Sequence, residues 1–297
     1  MAGRIRVIAV PAMFAPAAGA LAVALAVVAA TAAAGAQDPP TPAAVEAFVA
    51  GASRTCVACD LTGRDLKARE FKRMKLDRAV FAGADLSGGA LFRSTLQHAD
   101  LSMARLVNTD LDRIDAKWAD FHGADLSGAL LFEADLSSAN LAGARLLNAR
   151  LGQARLNQAN LEGAVLAGSD LRGARLAGAR LAGANLHGAK LDGQKLREMD
   201  LRGVDFTLSD MIDADLFGAD LRGARLAGVD LFGANLHGAD LRGATFEGAN
   251  LKNAILTDAN TDGVNFDAAI MPDGSRQDGA AGTAPTPPAA GDGAARE

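Results

Sequence analysis

In 297 residues the chain has no tyrosine, one tryptophan and two cysteines, and aromatic residues make up 4% of it. So few rings suit only a thin core. Cys56 and Cys59 form the one C-x-x-C pair. A zinc site would need two more ligands, and His98, His122, His187 and His237 are scattered. Haem attachment requires a histidine after the second cysteine, where Asp60 stands. A thioredoxin-type motif would require a βαβ context, which is absent. No metal or cofactor is expected. An excess of charge of one sign is lacking as well: between 61 and 271, 25 Lys and Arg stand against 28 Asp and Glu. Nucleic acid is not an expected partner.

What the chain has is a period of five. In "ADLRGARLAGVDLFGANLHGADLRGATF", from Ala219 to Phe246, every fifth residue is Leu or Phe. Helix stripes recur at three and four residues and half-buried strands at two. Residues five apart on a helix are rotated by roughly 140° and would scatter around it. A chain that keeps one residue type inside at this period must turn as it goes, which makes it a solenoid. Stepping by five from Leu61 to Phe266 gives 42 positions, of which 40 are Leu, Phe or Met, with Ala116 and Thr261 the exceptions. Two residues before each lies a second set that starts at Cys59, and 27 of its 42 members are Ala. No insertion breaks the phase.

The pattern small–(Asp/Asn)–Leu–x–Gly, as in "ADLRG" at 219–223 and 239–243 and "ANLHG" at 184–188 and 234–238, resembles the pentapeptide repeat family. The resemblance covers about residues 56–271. It implies an all-β fold, a right-handed quadrilateral parallel β-helix with four quintets to a coil. The residues agree with that picture. A narrow square shaft has room for four large side chains per layer and needs small ones at its other inward positions. Gly two after the Leu suits a corner turn. The residue before the Leu points outward.

Forty-two quintets make roughly ten coils, a shaft about 50 Å long at a coil spacing of about 4.8 Å. Residues 20 apart then stack. Phe246 and Phe266 share an inner column with Phe206, and Phe81 lies two layers from Phe121. "DLRG" at 200, 220 and 240 stacks Asp200, Asp220 and Asp240 beside Arg202, Arg222 and Arg242. Gln194, Met199 and Val204 overfill the small inward position, and Ile114 precedes the undersized Ala116 near Trp118. A bulge or widened coil is expected at 192–213 and around 114–118.

The ends differ from the shaft. Residues 1–36 read as an export signal: Arg4 and Arg6, an Ala/Val/Leu stretch, then "AGA" at 34–36 before Gln37. The alternative is an uncleaved membrane anchor, the one route by which the chain would meet a membrane. Residues 37–55 hold a linker and a short helix in "TPAAVEAFVAGAS", with Thr41 as cap and Pro42 in the first turn. Val45, Phe48, Val49 and Ala52 form its apolar face, placed to cover the open end of the solenoid with Cys56 and Cys59 beneath. The repeat domain spans 56–271. Residues 272–297 are rich in Gly, Ala and Pro and read as a disordered tail.

Two readings fit the cysteines. They form a disulfide that staples the first coil to the cap, or they are small core thiols, since Cys56 falls on the Leu register and Cys59 on the Ala register. The resemblance, whose members often begin with a similar Cys-x-x-Cys-Asp-Leu, implies a structural role. No catalytic residues emerge. Asp is a letter of the repeat, so Asp85, Asp125 and Asp205 read as solvated faces. His187 and His237, 50 residues apart, fall on opposite sides of the coil.

Two surface features bear on partners. Arg64, Lys67, Arg69, Lys72, Arg73, Lys75 and Arg78 crowd the first coil against Asp65, Glu70 and Asp77. They read as an irregular solvated coil or as a docking patch for an anionic surface. Phe92, Phe132, Ile212 and Phe232 all follow a register residue at multiples of 20, with Leu130 on the same face. A contiguous apolar patch there would mark a contact with a protein partner whose identity the sequence leaves open. The expected function is that of an exported, non-enzymatic binding or scaffold protein of the bacterial periplasm or envelope. The resemblance also implies an alternative, a DNA-mimicking protein that binds DNA gyrase, but that role calls for a cytosolic and strongly acidic shaft.

Overall fold

A computed structural model describes residues 40–277. Residues 1–39, which include the segment 1–36 read above as an export signal, and residues 278–297 lie outside the described residues. From Thr55 onward one five-residue conformation recurs, and each quintet forms one side of a right-handed, four-sided coil. Parallel bridges join residues 20 apart, beginning with Thr55 to Lys75 and Asp60 to Val80. The sides are numbered here 1 to 4 from those that carry Leu61, Leu66, Phe71 and Leu76.

The hydrogen bonds explain why five residues suffice. Leu61 N–H donates to Val80 O at 2.7 Å, one coil on, and Gly63 N–H to Ala82 O at 2.9 Å. Arg64 N–H closes the turn onto Leu61 O at 3.2 Å, and Asp85 N–H reaches back to Arg64 O at 2.9 Å. Four of the five amides in a quintet are thereby paired. The fifth, just after the register residue, is capped by the side chain just before it: Asp60 Oδ1 accepts from Thr62 N–H at 3.0 Å. Asp100, Asp120, Asn185 and Asp205 repeat this bond. The Asp or Asn before the Leu is therefore a backbone cap of the Asx-turn type as well as a surface residue. At two quintets where that residue does not cap, the coil below supplies the carboxylate. Asp112 accepts from Phe132 N–H at 2.7 Å, and Asp77 from Gln97 N–H at 3.0 Å.

The corner residue two after the register has a positive φ at every quintet from Ala58 to Ala268, and 21 of these residues are not glycine. With the i to i+3 bond this is a type II turn, whose third position favours Gly. Long corner side chains lie over the glycine corner of the next coil: a Cβ added at Gly228 would fall 2.7 Å from Leu208 Cδ2.

All register side chains from Leu61 to Phe266 are buried except Leu256 and Thr261, which are half-buried in the last coil. Phe246 stacks on Phe266 with centroids 5.4 Å apart. At the N-terminal end, helix α1 spans Pro42–Val49, with Thr41 as N-cap accepting from Ala44 N–H at 3.3 Å. Val45 and Phe48 are buried, Val49 packs partly buried against the core, and the Phe48 ring stacks on Phe71 at 5.0 Å. Ala52, expected on the same face, is exposed. The helix stops at Val49, and Gly51, with φ of 82°, turns the chain away. Gly51 N–H bonds to Phe48 O and Ala52 N–H to Ala47 O, which makes this a Schellman ending.

Cys56 and Cys59 are disulfide-bonded and buried. The bond excludes the reading of two free core thiols, and it corrects the other reading too: it closes the first corner turn on itself and does not staple the coil to α1. At the other end the chain does not stop being ordered at Met271. It folds back, with Ile270 bridging antiparallel to Arg276 and Ala268 N–H bonding to Gln277 O at 2.8 Å.

The expected widening occurs in a narrower place than 192–213. The bridges that would join Arg175 to Lys195 and Arg180 to Asp200 do not form, nor do the backbone bonds between 173–181 and 192–200. Gln194 and Met199 sit there above Ala174 and Ala179, and their bulk holds the coils apart. Gln194 Nε2 donates to Leu171 O, which also keeps its turn bond from Ala174 N–H. Arg175 over Lys195 adds like-charge repulsion. The ladder is closed again at Asn185–Asp205. Around 114–118 the coils are regular, with Ala116 N–H to Asp135 O at 2.8 Å. The small Ala116 makes room for buried Ile114.

Candidate protein-binding face

Side 3, like side 2, has an unbroken ladder along the whole shaft. It steps from Glu70 through Ala90, Asp110, Leu130, Arg150, Asp170, Lys190, Asp210, Asp230 and Asn250 to Ile270. Each of these residues stands just before a register residue, and a second outward column stands just after it. That second column carries the expected contact residues. Phe92 is half-buried, while Phe132, Ile212 and Phe232 are exposed, and Leu130 is half-buried beside Phe132. They share one face, as the multiples of 20 require, in two groups rather than one patch. Gly152, Arg172 and Asp192 occupy the column between Phe132 and Ile212.

The N-terminal group is framed by arginines. Arg73, Arg93 and Arg113 occupy three successive corners at the border of sides 3 and 4. Arg93 lies over the Phe92 ring at 5.1 Å, and Arg113 pairs with Glu133 at 2.8 Å. Asp112 lies between Phe92 and Phe132. Burial pushes its carboxyl up, the Phe132 N–H bond pulls the other way, and nearby Asp110 adds to the rise. Phe132 has room because its neighbour is glycine: a Cβ at Gly152 would lie 3.5 Å from the ring. At mid-face Arg172 holds Asp170 through two bonds of 2.9 and 2.6 Å, which lower the Asp170 carboxyl.

Beyond that border lies a polar basin of about 460 Å³, lined in part by Asp115, Lys117, Asp135 and Arg155. Lys117 reaches Asp115 at 3.2 Å and Asp135 at 3.3 Å, and Arg155 reaches Asp135 at 3.4 Å. Burial alone would raise Asp135, but Ser137 and Lys117 together hold it below the ordinary range. His98 and the half-exposed Trp118 stack at 5.0 Å on the next corner. On side 4 farther along, Arg197 lies over Phe217 at 4.4 Å and Phe217 stacks on His237 at 5.2 Å. These stacks, and the Arg73–Arg93–Arg113 column, were not anticipated. The 20-residue spacing contains them, since each joins residues one coil apart.

The basic cluster of the first coil is not a patch. Its seven residues are all exposed but are spread around the four sides as a collar. Arg64 pairs with Glu46 of α1 at 2.7 Å, Lys67 with Asp85 at 3.4 Å, and Lys72 with Glu70 at 3.3 Å. Arg69, Arg73, Lys75 and Arg78 make no ion pair among the described residues. Asp85, Asp125 and Asp205 are less free than expected. They face Arg105 at 3.4 Å, Arg145 at 4.0 Å and Arg225 at 3.6 Å, each one coil on. The DLRG columns form as expected, with Arg202, Arg222 and Arg242 each holding its own Asp at 2.6 Å. Arg202 and Arg222 also approach the next coil's Asp at 3.7 Å. Among the described residues no group of three or more His, Cys, Asp or Glu is placed to hold a metal ion.

Pentapeptide repeats match in eight copies within residues 75–272, so the chain belongs to the pentapeptide repeat family. Among solved structures it is similar to HetL of Nostoc sp. strain PCC 7120, a pentapeptide repeat protein involved in heterocyst differentiation regulation. The identity is 32% over 79% of this chain and 98% of that one, with a TM-score of 0.27. It is similar to Rfr23 of Cyanothece 51142 at 30% identity over 46% of this chain and 93% of that one, TM-score 0.29. It is similar to QnrB1, a plasmid-mediated fluoroquinolone resistance protein, at 23% identity over 72% of this chain and 91% of that one, TM-score 0.31. No curated protein matches the chain.

Proposed function

We propose that the chain is an exported, non-enzymatic solenoid of the bacterial envelope that works by binding protein along side 3. The observation that carries the reading is the make-up of that face. Exposed Phe132, framed by Arg93 and Arg113, and exposed Ile212 and Phe232 farther along stand on one regular ladder. Aromatic residues and arginine are the types that dominate binding energy at protein interfaces. The Arg4/Arg6–apolar–"AGA" pattern of residues 1–36 supports export. The oxidised pair Cys56–Cys59 fits an oxidising compartment. The DNA-mimicking alternative is disfavoured because arginines one coil away, or within the same quintet, offset the aspartate columns.

Cell fractionation with intact-mass measurement tests the export. The expected product is a periplasmic chain beginning at Gln37 with both cysteines oxidised. A full-length cytoplasmic chain with free thiols would overturn it. Photo-cross-linker in place of Phe132 should trap a protein on side 3, while the same group at Ala227 on side 2 should not. Inhibition of gyrase supercoiling by the purified chain would instead support the DNA-mimicking reading.

A further inference from the structure

We infer that side 3 is self-complementary and joins a second copy of this chain, side by side and antiparallel. The inference rests on the reading of side 3 as a protein-binding face and names its occupant.

A two-fold axis lying across the face, between the coil of Asp170–Arg172 and the coil of Lys190–Asp192, would set each column against itself in reverse. A residue some number of coils before the axis then meets the residue the same number of coils after it in the second copy. Nearest the axis, Asp170 meets Lys190 and Arg172 meets Asp192. One coil out, Arg150 meets Asp210 and Gly152 meets Ile212. Two coils out, Phe132 meets Phe232. Three coils out, Asp112 meets Lys252, and four coils out the corner residue Arg93 meets Asp273. All of these side chains reach the surface. Every charged pair is of opposite sign, and each occurs twice because the interface is isologous.

Other placements of the axis fail. Moved onto the coil of Arg172, it sets Arg172 on Arg172 and Asp170 on Asp170. Moved onto the coil of Asp192, it sets Asp192 and Lys190 on their own copies. One full coil toward the N-terminus it opposes Lys72 with Lys252 and Asp110 with Asp210. One full coil the other way it opposes Asp170 with Asp230. A parallel pairing, with its axis along the shaft, reverses the face laterally and opposes Asp110 with Asp112. Like charges in apposition are what specific interfaces avoid.

The face is built for such contact. Its ladder runs without a break over ten coil steps from Glu70 to Ile270, whereas the seam at 173–181 opens on sides 4 and 1. Gly152, Gly173 and Gly193 keep its centre low. The contact spans about 45 Å along the shaft but only one side in width, which places it at the small end of specific interfaces. A reversible, salt-sensitive dimer follows.

Sedimentation of the full chain at tens of micromolar is the test. A monomer–dimer equilibrium is expected, and it should weaken at high salt. Arg150→Asp and Asp210→Arg should each raise the dimer Kd at least tenfold, about 1.4 kcal/mol. The double variant Arg150→Asp/Asp210→Arg should restore dimerisation, because the swapped pair still meets across the axis. With Cys56 and Cys59 already bonded, Phe132→Cys/Phe232→Cys should oxidise to a covalent dimer. A monomer at every concentration, a dimer indifferent to both reversals, a swap that fails to restore, or a dimer that does not cross-link at 132 and 232 would each overturn the inference. Capture of another protein at Phe132 by a strictly monomeric chain would leave side 3 a binding face and remove only its occupant.

Discussion

The five-residue unit rests on two local devices, a capped amide and a left-handed corner. The cap explains why Asp and Asn precede the register Leu so often. The corner explains the glycines, and the non-glycine corners show what they cost. A residue held at positive φ without being glycine is strained by roughly 1 kcal/mol. The corners are also coupled along the shaft. Asn108 fills the space where a Cβ would sit at Gly128, whereas nothing lies within 4 Å of that point at Gly143. Gly143→Ala should therefore lower stability by about 1 kcal/mol, and Gly128→Ala should cost clearly more because Asn108 must move as well. Urea unfolding of the two variants distinguishes them. Equal losses would show that the corners act independently. The Leu, Ala and Gly positions were legible because each follows from one quintet. The cap was not, because an aspartate that points outward and one that points back to its own turn look alike in sequence.

Helix and ladder each stabilise the shaft in a different way, and the seam weakens it. Phe48 brings an aromatic ring onto Phe71 at the open end of the first coil, with a relative exposure of 0%. Removing a buried Phe side chain typically costs 3–5 kcal/mol, so about that loss is expected for Phe48→Ala. Deleting residues 37–54 should leave the inner coils intact, lower the thermal midpoint and expose an edge that associates. Size-exclusion chromatography showing an unchanged monomer with an unchanged midpoint would make the helix a bystander. On side 1, hydrogen bonds from Arg202, Arg222 and Arg242 hold Asp200, Asp220 and Asp240 below their ordinary carboxylate range. A carboxylate lowered in the folded state stabilises above its unfolded pKa, about 3.9, and that contribution is lost as pH falls through the folded value. The thermal midpoint should thus drop on acidification below about pH 4. Arg222→Gln should make the drop shallower, and an identical pH profile for the variant would show that the ladder contributes nothing. The seam was half legible. Gln194 and Met199 announce excess volume, but which coils part depends on Ala174 and Ala179 lying beneath them, and only the 20-residue stacking supplies that. Val204 is just as large for its position, yet its coil stays closed.

At the scale of the whole molecule, the spacing of 20 turns a one-dimensional sequence into four faces. It made the columns of side 3 readable, but not the charged coils that divide its apolar residues or the arginine corners that border them. Residue-resolved amide hydrogen exchange tests this architecture most directly. Protection with a period of five is expected. The register amide and those two, three and four residues after it should exchange slowly. The amide one after the register should be slow only where a side-chain carboxylate or carboxamide caps it. The amides of Leu176, Leu181, Lys195 and Asp200 should be fast, with protected coils on both sides. Continuous protection without the five-residue rhythm, or a seam as slow as its neighbours, would contradict it.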